Sequence, residues 1–147
     1  MSSNSVFPPA SETVLVVENE TAIRNLGQMA LERHGYHILA AESGADALRV
    51  ADGHHGRIDL LISDVVIPDM NGPEIARRLS TSHPELHRLF MSGYLDDALG
   101  EHGVSGNDVD FIQKPFSPRV LALKVREILD RSRDPMPSAS TEPPTTS

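Results

Sequence analysis

Cysteine is absent from the chain. That excludes a disulfide framework, a thiolate metal centre and a cysteine nucleophile together. Long apolar runs are missing as well. The longest span about five residues, against the roughly 20 that a membrane-crossing helix needs. Positive charge is in deficit, with 13 Lys and Arg against 21 Asp and Glu, for a formal net charge of −8. A field of that sign opposes binding to nucleic acid through its phosphates, although a local basic patch would escape the argument. The opening MSSNSVFPPASE has no basic stretch leading into an apolar core, so it does not read as a secretory signal. The expectation is a cytoplasmic protein with neither membrane nor nucleic acid as partner.

The chain has 147 residues, 39% of them apolar and 23% charged, which suits one globular domain with a single core. Residues 1–11 offer little to bury, and 133–147 are rich in Pro, Ser and Thr. Both are expected to be disordered tails, because such segments cannot offset the entropy of ordering. The folded unit should run over 12–132. Within it, short apolar runs alternate with stripes of helical spacing. TVLVV (13–17) is a continuous run of mostly β-branched residues, as a strand buried on both faces would be. Ile23, Leu26, Gly27, Ala30 and Leu31 then mark one face of a helix, with Gly35 as its stop.

The alternation continues. YHILAA (36–41) reads as a strand, and Ser43 caps a helix over GADALRVADG. IDLLIS (58–63) is a strand that ends at Asp64, and GPEIARRLSTS (72–82) is a helix with Pro73 in its first turn. HRLFMS (87–92) is a strand, while 94–103 makes at best a short helix because of Gly100 and Gly103. VDFIQ (109–113) is the fifth strand. Ser117 and Pro118 open the last helix, over 118–132, with Leu121, Val125, Ile128 and Leu129 on one stripe. Five strand–helix units in succession predict a doubly wound, five-stranded parallel sheet with helices on both faces. Ligands of such sheets bind beyond the carboxyl ends of the strands.

Four of the five predicted strand ends carry chemistry: Glu18 and Asn19 after the first, Asp64 after the third, Ser92 on the fourth, and Lys114-Pro115 after the fifth. Singly, each has an ordinary reading as a solvated loop, a turn residue or a surface charge. Brought to one edge, they form a set. Two acids and an amide carbonyl suit a hard divalent cation, with Mg²⁺ favoured by oxygen ligands. An ammonium and a hydroxyl suit the oxygens of a phosphoryl group, and a carboxylate between them can accept one. The seven histidines are scattered, and Pro84 spoils any helical pairing of His83 with His87.

VLVVENE, LLISDVVIPDMNG, LFMSGY and FIQKPF, in this order and each at a strand end, resemble the four signature segments of response-regulator receiver domains. The wording resembles receivers of hybrid histidine kinases and free-standing receivers. The resemblance covers about residues 12–132. It implies a flavodoxin-like (βα)5 fold with strand order 2-1-3-4-5. It implies that Asp64 is a phosphoacceptor that takes its phosphoryl group from a histidine kinase or a phosphotransfer protein, with Mg²⁺ as cofactor. Glu18, Asn19, Asp64 and the backbone carbonyl of Val66 would hold the metal, Glu18 through water. Ser92 would be the switch hydroxyl, Lys114 the ammonium, and Phe111 the switch aromatic. Pro115 would follow a cis bond. A helix capped near Thr21 would start beside the site. A downstream protein would bind the face made by the 94–103 helix, the fifth strand and the last helix, where Val120 and Leu123 are its exposed apolar residues. The folded segment leaves no room for an output domain, so the readout would be protein contact or onward phosphotransfer, not turnover of a substrate.

Asn19 departs from the family, which has a metal-binding Asp at this position. An amide keeps a carbonyl oxygen but drops the charge, so Mg²⁺ affinity should fall and the pKa of Asp64 should be less elevated than beside an acid. An alternative follows: an impaired receiver that acts as a constitutive protein-binding module. A hydrolase with an Asp nucleophile is a weaker third reading, because such enzymes usually carry a second acid two residues on, where Val66 stands.

Overall fold

The computed structural model of the protein describes residues 12–93 and 110–133. They form β1 (Thr13–Val17), α1 (Thr21–Glu32), β2 (His37–Ala41), α2 (Gly44–Gly53), β3 (Leu60–Asp64), α3 (Gly72–Ser82), β4 (His87–Ser92), β5 (Asp110–Gln113) and α4 (Pro118–Arg133). The helix expected over 94–103 and most of both tails lie outside the described residues; α4 ends one residue inside the segment read as a tail. All pairings are parallel, in the order β2-β1-β3-β4-β5, which is the flavodoxin-like arrangement.

The apolar strands are explained by two separate cores. Val14 and Val16 share one with Leu60, Ile62, Leu89 and Met91, closed by Leu31 of α1 and by Leu121, Val125 and Ile128 of α4. Leu15 and Val17 face the other, with Leu61 and Phe90, closed by Ala47 of α2 and by Ile75 and Leu79 of α3. Successive residues of β1 therefore enter different cores, and both faces of the strand must be apolar. Each fully buried Leu, Ile or Val contributes roughly 1.5–3 kcal/mol.

Element ends follow local chemistry. Gly35 closes the α1 turn with φ of 92°, a left-handed conformation that glycine adopts without strain. The Ser43 hydroxyl accepts from Asp46 N at 3.0 Å, and the Ser117 hydroxyl accepts from Val120 N at 3.1 Å. At α1 the expected cap near Thr21 is replaced. Glu20 is the capping position and its side chain makes no capping bond; the Glu18 carboxylate accepts from Glu20 N instead, at 2.8 Å. Tyr36 and Ile58 are buried as expected but precede their strands. At this amino-terminal edge Arg126 joins β1, β2 and α4. It donates to Tyr36 Oη and to Glu12 Oε2, each at 2.9 Å, with its guanidinium 5.6 Å from the Tyr36 ring centre.

Gly72 is the closest backbone approach near the carboxyl edge. A Cβ there would stand 2.2 Å from the Asp64 carbonyl oxygen and 3.1 Å from both Phe90 Cδ1 and Ser63 Oγ. Its bare backbone lets Gly72 N donate to Val65 O at 2.8 Å, which folds the chain back directly after β3. Replacing Gly72 by Ala should destabilise the protein by about 3 kcal/mol in urea unfolding. Gly53→Ala, where a Cβ meets nothing within 4 Å, should change stability by no more than about 1 kcal/mol.

Candidate functional site

Three of the predicted strand-end residues meet directly. The Lys114 ammonium lies 2.6 Å from Asp64 Oδ1 and 3.0 Å from Glu18 Oε1. The Glu18 side chain is 1% exposed, that of Asp64 9% and that of Lys114 20%, so both acids are desolvated and the cation only partly so. Topology produces the meeting. β1 and β3 are neighbours, which sets Glu18 beside Asp64, while β5 lies two strands away across β4. The long Lys114 side chain crosses the tip of β4, where Lys114 N also donates to Ser92 O at 3.0 Å. The peptide bond that follows, Lys114–Pro115, is cis.

One ammonium faces two carboxylates, and the titration of Asp64 reflects that imbalance. Burial first, then its contact with Glu18, push its carboxyl up to about 7, against the pull of Lys114. Asp64 stays elevated even with the neutral Asn19 nearby, because burial and Glu18 are sufficient. Burial alone would lower the Lys114 pKa, but its bonds and charge contacts with Asp64 and Glu18 outweigh that and hold it above its ordinary value.

The other predicted residues stand around this triad. Asn19 is exposed at the rim, although Glu18 beside it in the chain is buried. Val66 follows Asp64 by two residues and its side chain is 58% exposed. Ser92 is buried at the β4 tip, in register with Gln113 of β5. Phe111 is half-buried in β5 and packs on Phe90, with ring centres 6.0 Å apart and planes tilted by 40°. Val120 and Leu123 are 50% and 60% exposed on α4. No histidine cluster with metal-binding geometry occurs among the described residues.

Sequence reading missed two participants. Arg24, one turn into α1, donates Nη1 to the Glu18 carbonyl oxygen at 2.7 Å and so steadies the β1–α1 turn. A cation at that spacing after clustered acids was the available signal. Asp69 is exposed in the turn-rich PDMNG segment, yet its carboxylate accepts from Gly44 N and Ala45 N, each at 2.9 Å. Nothing local in PDMNG points to a partner about 25 residues earlier.

The donor set fits a hard cation. Two buried carboxylates with a single ammonium leave negative charge uncompensated, which is the condition a divalent ion relieves. Glu18 and Asp64, with the Asn19 amide and the Val66 carbonyl, are the residues that would hold it.

The chain resembles known proteins of one family. The family model described as "Response regulator receiver domain" matches residues 14–126. The chain is 40% identical over 121 residues to the sensor kinase CckA of Brucella abortus, covering 82% of this chain but 13% of that protein. It is 31% identical over 116 residues to the response regulator receiver protein CpdR of the same organism, covering 79% of this chain and 95% of CpdR. Among solved structures, the receiver domain of the hybrid histidine kinase CckA superposes with a TM-score of 0.67 at 33% identity, over 80% of this chain and 98% of that domain. The chain spans about half the length of several transcriptional regulators it also matches. No helix among the described residues is long and apolar enough to cross a membrane.

The pKa of Asp64 has a direction for stability. A folded-state value of about 7, against 3.8 for a free carboxyl, means that the folded protein binds this proton more tightly than the unfolded chain. The resulting stability is complete below about pH 4 and is lost as pH rises through about 7. In chelator, Asp64→Asn should therefore be more stable than the wild type at pH 8, by on the order of 1–3 kcal/mol. That advantage should shrink or reverse at pH 5. Thermal unfolding of both proteins at the two pH values is the check.

Proposed function

Because the chain belongs to the response-regulator receiver family, we propose that it accepts a phosphoryl group on Asp64 from a histidine kinase or a phosphotransfer protein and signals through an altered protein-binding surface. Receiver domains are signalling modules that generally bind Mg²⁺ and engage such kinases or phosphotransfer proteins. The observation that carries the assignment to Asp64 is the buried contact of its carboxylate with Lys114 at 2.6 Å, beside Glu18.

In this reading an Asp64 carboxylate oxygen attacks phosphorus. The phosphorus–nitrogen bond of the donor phosphohistidine breaks, and its electron pair leaves with the imidazole, which takes up a proton from water. Lys114 neutralises the carboxylate and then the phosphoryl oxygens, and the Ser92 hydroxyl donates to one of those oxygens. A bound Mg²⁺ supplies further charge neutralisation. Drawing Ser92 toward the phosphoryl oxygens lets the half-buried Phe111 ring turn inward. The β5–α4 surface, with Val120 and Leu123 exposed, changes with it. The cytoplasm is the compartment this role requires.

A second reading rests on Asn19. With an amide at the rim, cation affinity falls, and the domain acts in its unmodified state as a protein-binding module.

Intact mass after incubation with acetyl phosphate across a Mg²⁺ series separates the two. The first reading expects one phosphoryl group, dependent on Mg²⁺ and absent in Asp64→Asn. It also expects Asn19→Asp to lower the Mg²⁺ midpoint by roughly tenfold, since one added charge near an exposed cation is worth at least about 1 kcal/mol. No phosphoryl uptake by the wild type at any Mg²⁺ concentration, with uptake by Asn19→Asp, would establish the second.

A further inference from the structure

Asp69 stands five residues past Asp64, in the loop that joins β3 to α3. Its two carboxylate oxygens are divided between the first two amides of α2, with Oδ1 accepting from Gly44 N and Oδ2 from Ala45 N, both at 2.9 Å. Those two amides, Ala45 first, hold its carboxyl below the usual carboxylate range. The contact is steric as well as polar. A Cβ on Gly44 would stand 2.7 Å from Met70 Cβ and 3.3 Å from Asp69 Oδ1. Glycine at the head of α2 thus admits the loop to a distance no other residue would allow.

The loop is fixed at its start by two backbone bonds, Val65 N to Met91 O at 3.1 Å and Gly72 N to Val65 O at 2.8 Å. Ile67 is buried in the core shared with α2 and α3. Val66 lies between these two anchored residues, itself 58% exposed. The placement of its carbonyl therefore depends on what the loop is tied to on either side.

Resting on the receiver reading above, we infer that Asp69 is a positioning residue. By clasping α2 to the loop, it sets where the Val66 carbonyl lies relative to Asp64 and Glu18, and so the first turn of α2 helps determine cation uptake. Mg²⁺ demands near-ideal octahedral geometry, so a small displacement of one ligand is felt strongly. Groups that orient ligands typically change metal affinity 10- to 100-fold when removed.

Charge and position must be separated, because Asp69→Ala removes both a clasp and a negative charge. Asp69→Asn removes the charge but keeps one acceptor oxygen. Gly44→Ala keeps the charge, and its extra methyl displaces the loop; α2 itself tolerates Ala there. The experiment is a titration of the isotope-labelled full chain with Mg²⁺ alone, followed by amide chemical shifts. Amide exchange at Gly72 in chelator and urea unfolding accompany it.

Asp69→Ala and Gly44→Ala should each raise the Mg²⁺ midpoint by roughly tenfold and speed Gly72 exchange in the absence of metal. Their unfolding midpoints should move far less than that of Gly72→Ala. Asp69→Asn should fall between the wild type and Asp69→Ala. The inference is overturned if Gly44→Ala binds within twofold of the wild type, or if Asp69→Asn is as weak as Asp69→Ala. If Gly44→Ala does not fold, the Asp69 pair alone decides by the same criterion. A wild type that takes up no Mg²⁺ overturns the receiver reading and this inference with it, whereas a wild type that binds, matched by Asp69→Ala, overturns only the inference.

Discussion

Lys114 is the group on which the carboxyl edge of this sheet depends. It ties β5 to β1 and β3 through two acids, one of them 96 residues away in sequence, and both acids are out of water. Removing the ammonium would leave two buried like charges in contact, which low-dielectric surroundings punish severely. Keeping it still leaves one carboxylate in excess, which adds to burial in raising the pKa of Asp64. The edge is therefore held together and held under electrostatic tension by the same side chain. Such an arrangement answers readily to an arriving cation or to a change in charge at Asp64.

The opposite edge is built differently. Arg126 meets Glu12, the Tyr36 hydroxyl and the Tyr36 ring, and also pairs with Asp130 at 3.0 Å. There a delocalised cation is surrounded by complementary partners and bridges three elements without crowding like charges. Charge is thus arranged differently at the two ends of the sheet, and the two apolar cores between the ends keep the strands from adjusting independently.

How much of this was legible in the sequence depends on the range of the interaction. A strand with two apolar-packed faces writes itself as an apolar run, so TVLVV was readable to the residue, and HRLFMS was too through the buried Leu89, Phe90 and Met91 that it carries. Ser43 and Ser117 act within three residues of themselves, and with Pro73 in the first turn of α3 the helix starts at 44, 72 and 118 followed from local chemistry. The triad was legible because all its members fall at strand ends, where a parallel sheet must gather them. Glu18's use as the acceptor for Glu20 N was not, since an acid followed by Asn-Glu looks like a solvated turn. The bonds of Asp69 were missed for a related reason: its partners belong to a different βα unit, and no periodicity announces a bond from a loop to a distant helix start. Gly72 reads as a helix-opening glycine, and only the folded chain reveals the carbonyl oxygen that occupies the space of its missing side chain.

Residues 18 and 19 are neighbours in sequence and opposites in environment: one is sealed in the interior, the other sits in solvent at the rim. A substitution at the first is felt by the folding equilibrium, because an interior carboxylate and its ammonium partner rise or fall together. A substitution at the second changes the charge presented to the solution and leaves the packed interior alone. Over generations the two properties can drift separately. Charge at the rim can change by single substitutions while selection on the fold continues undisturbed.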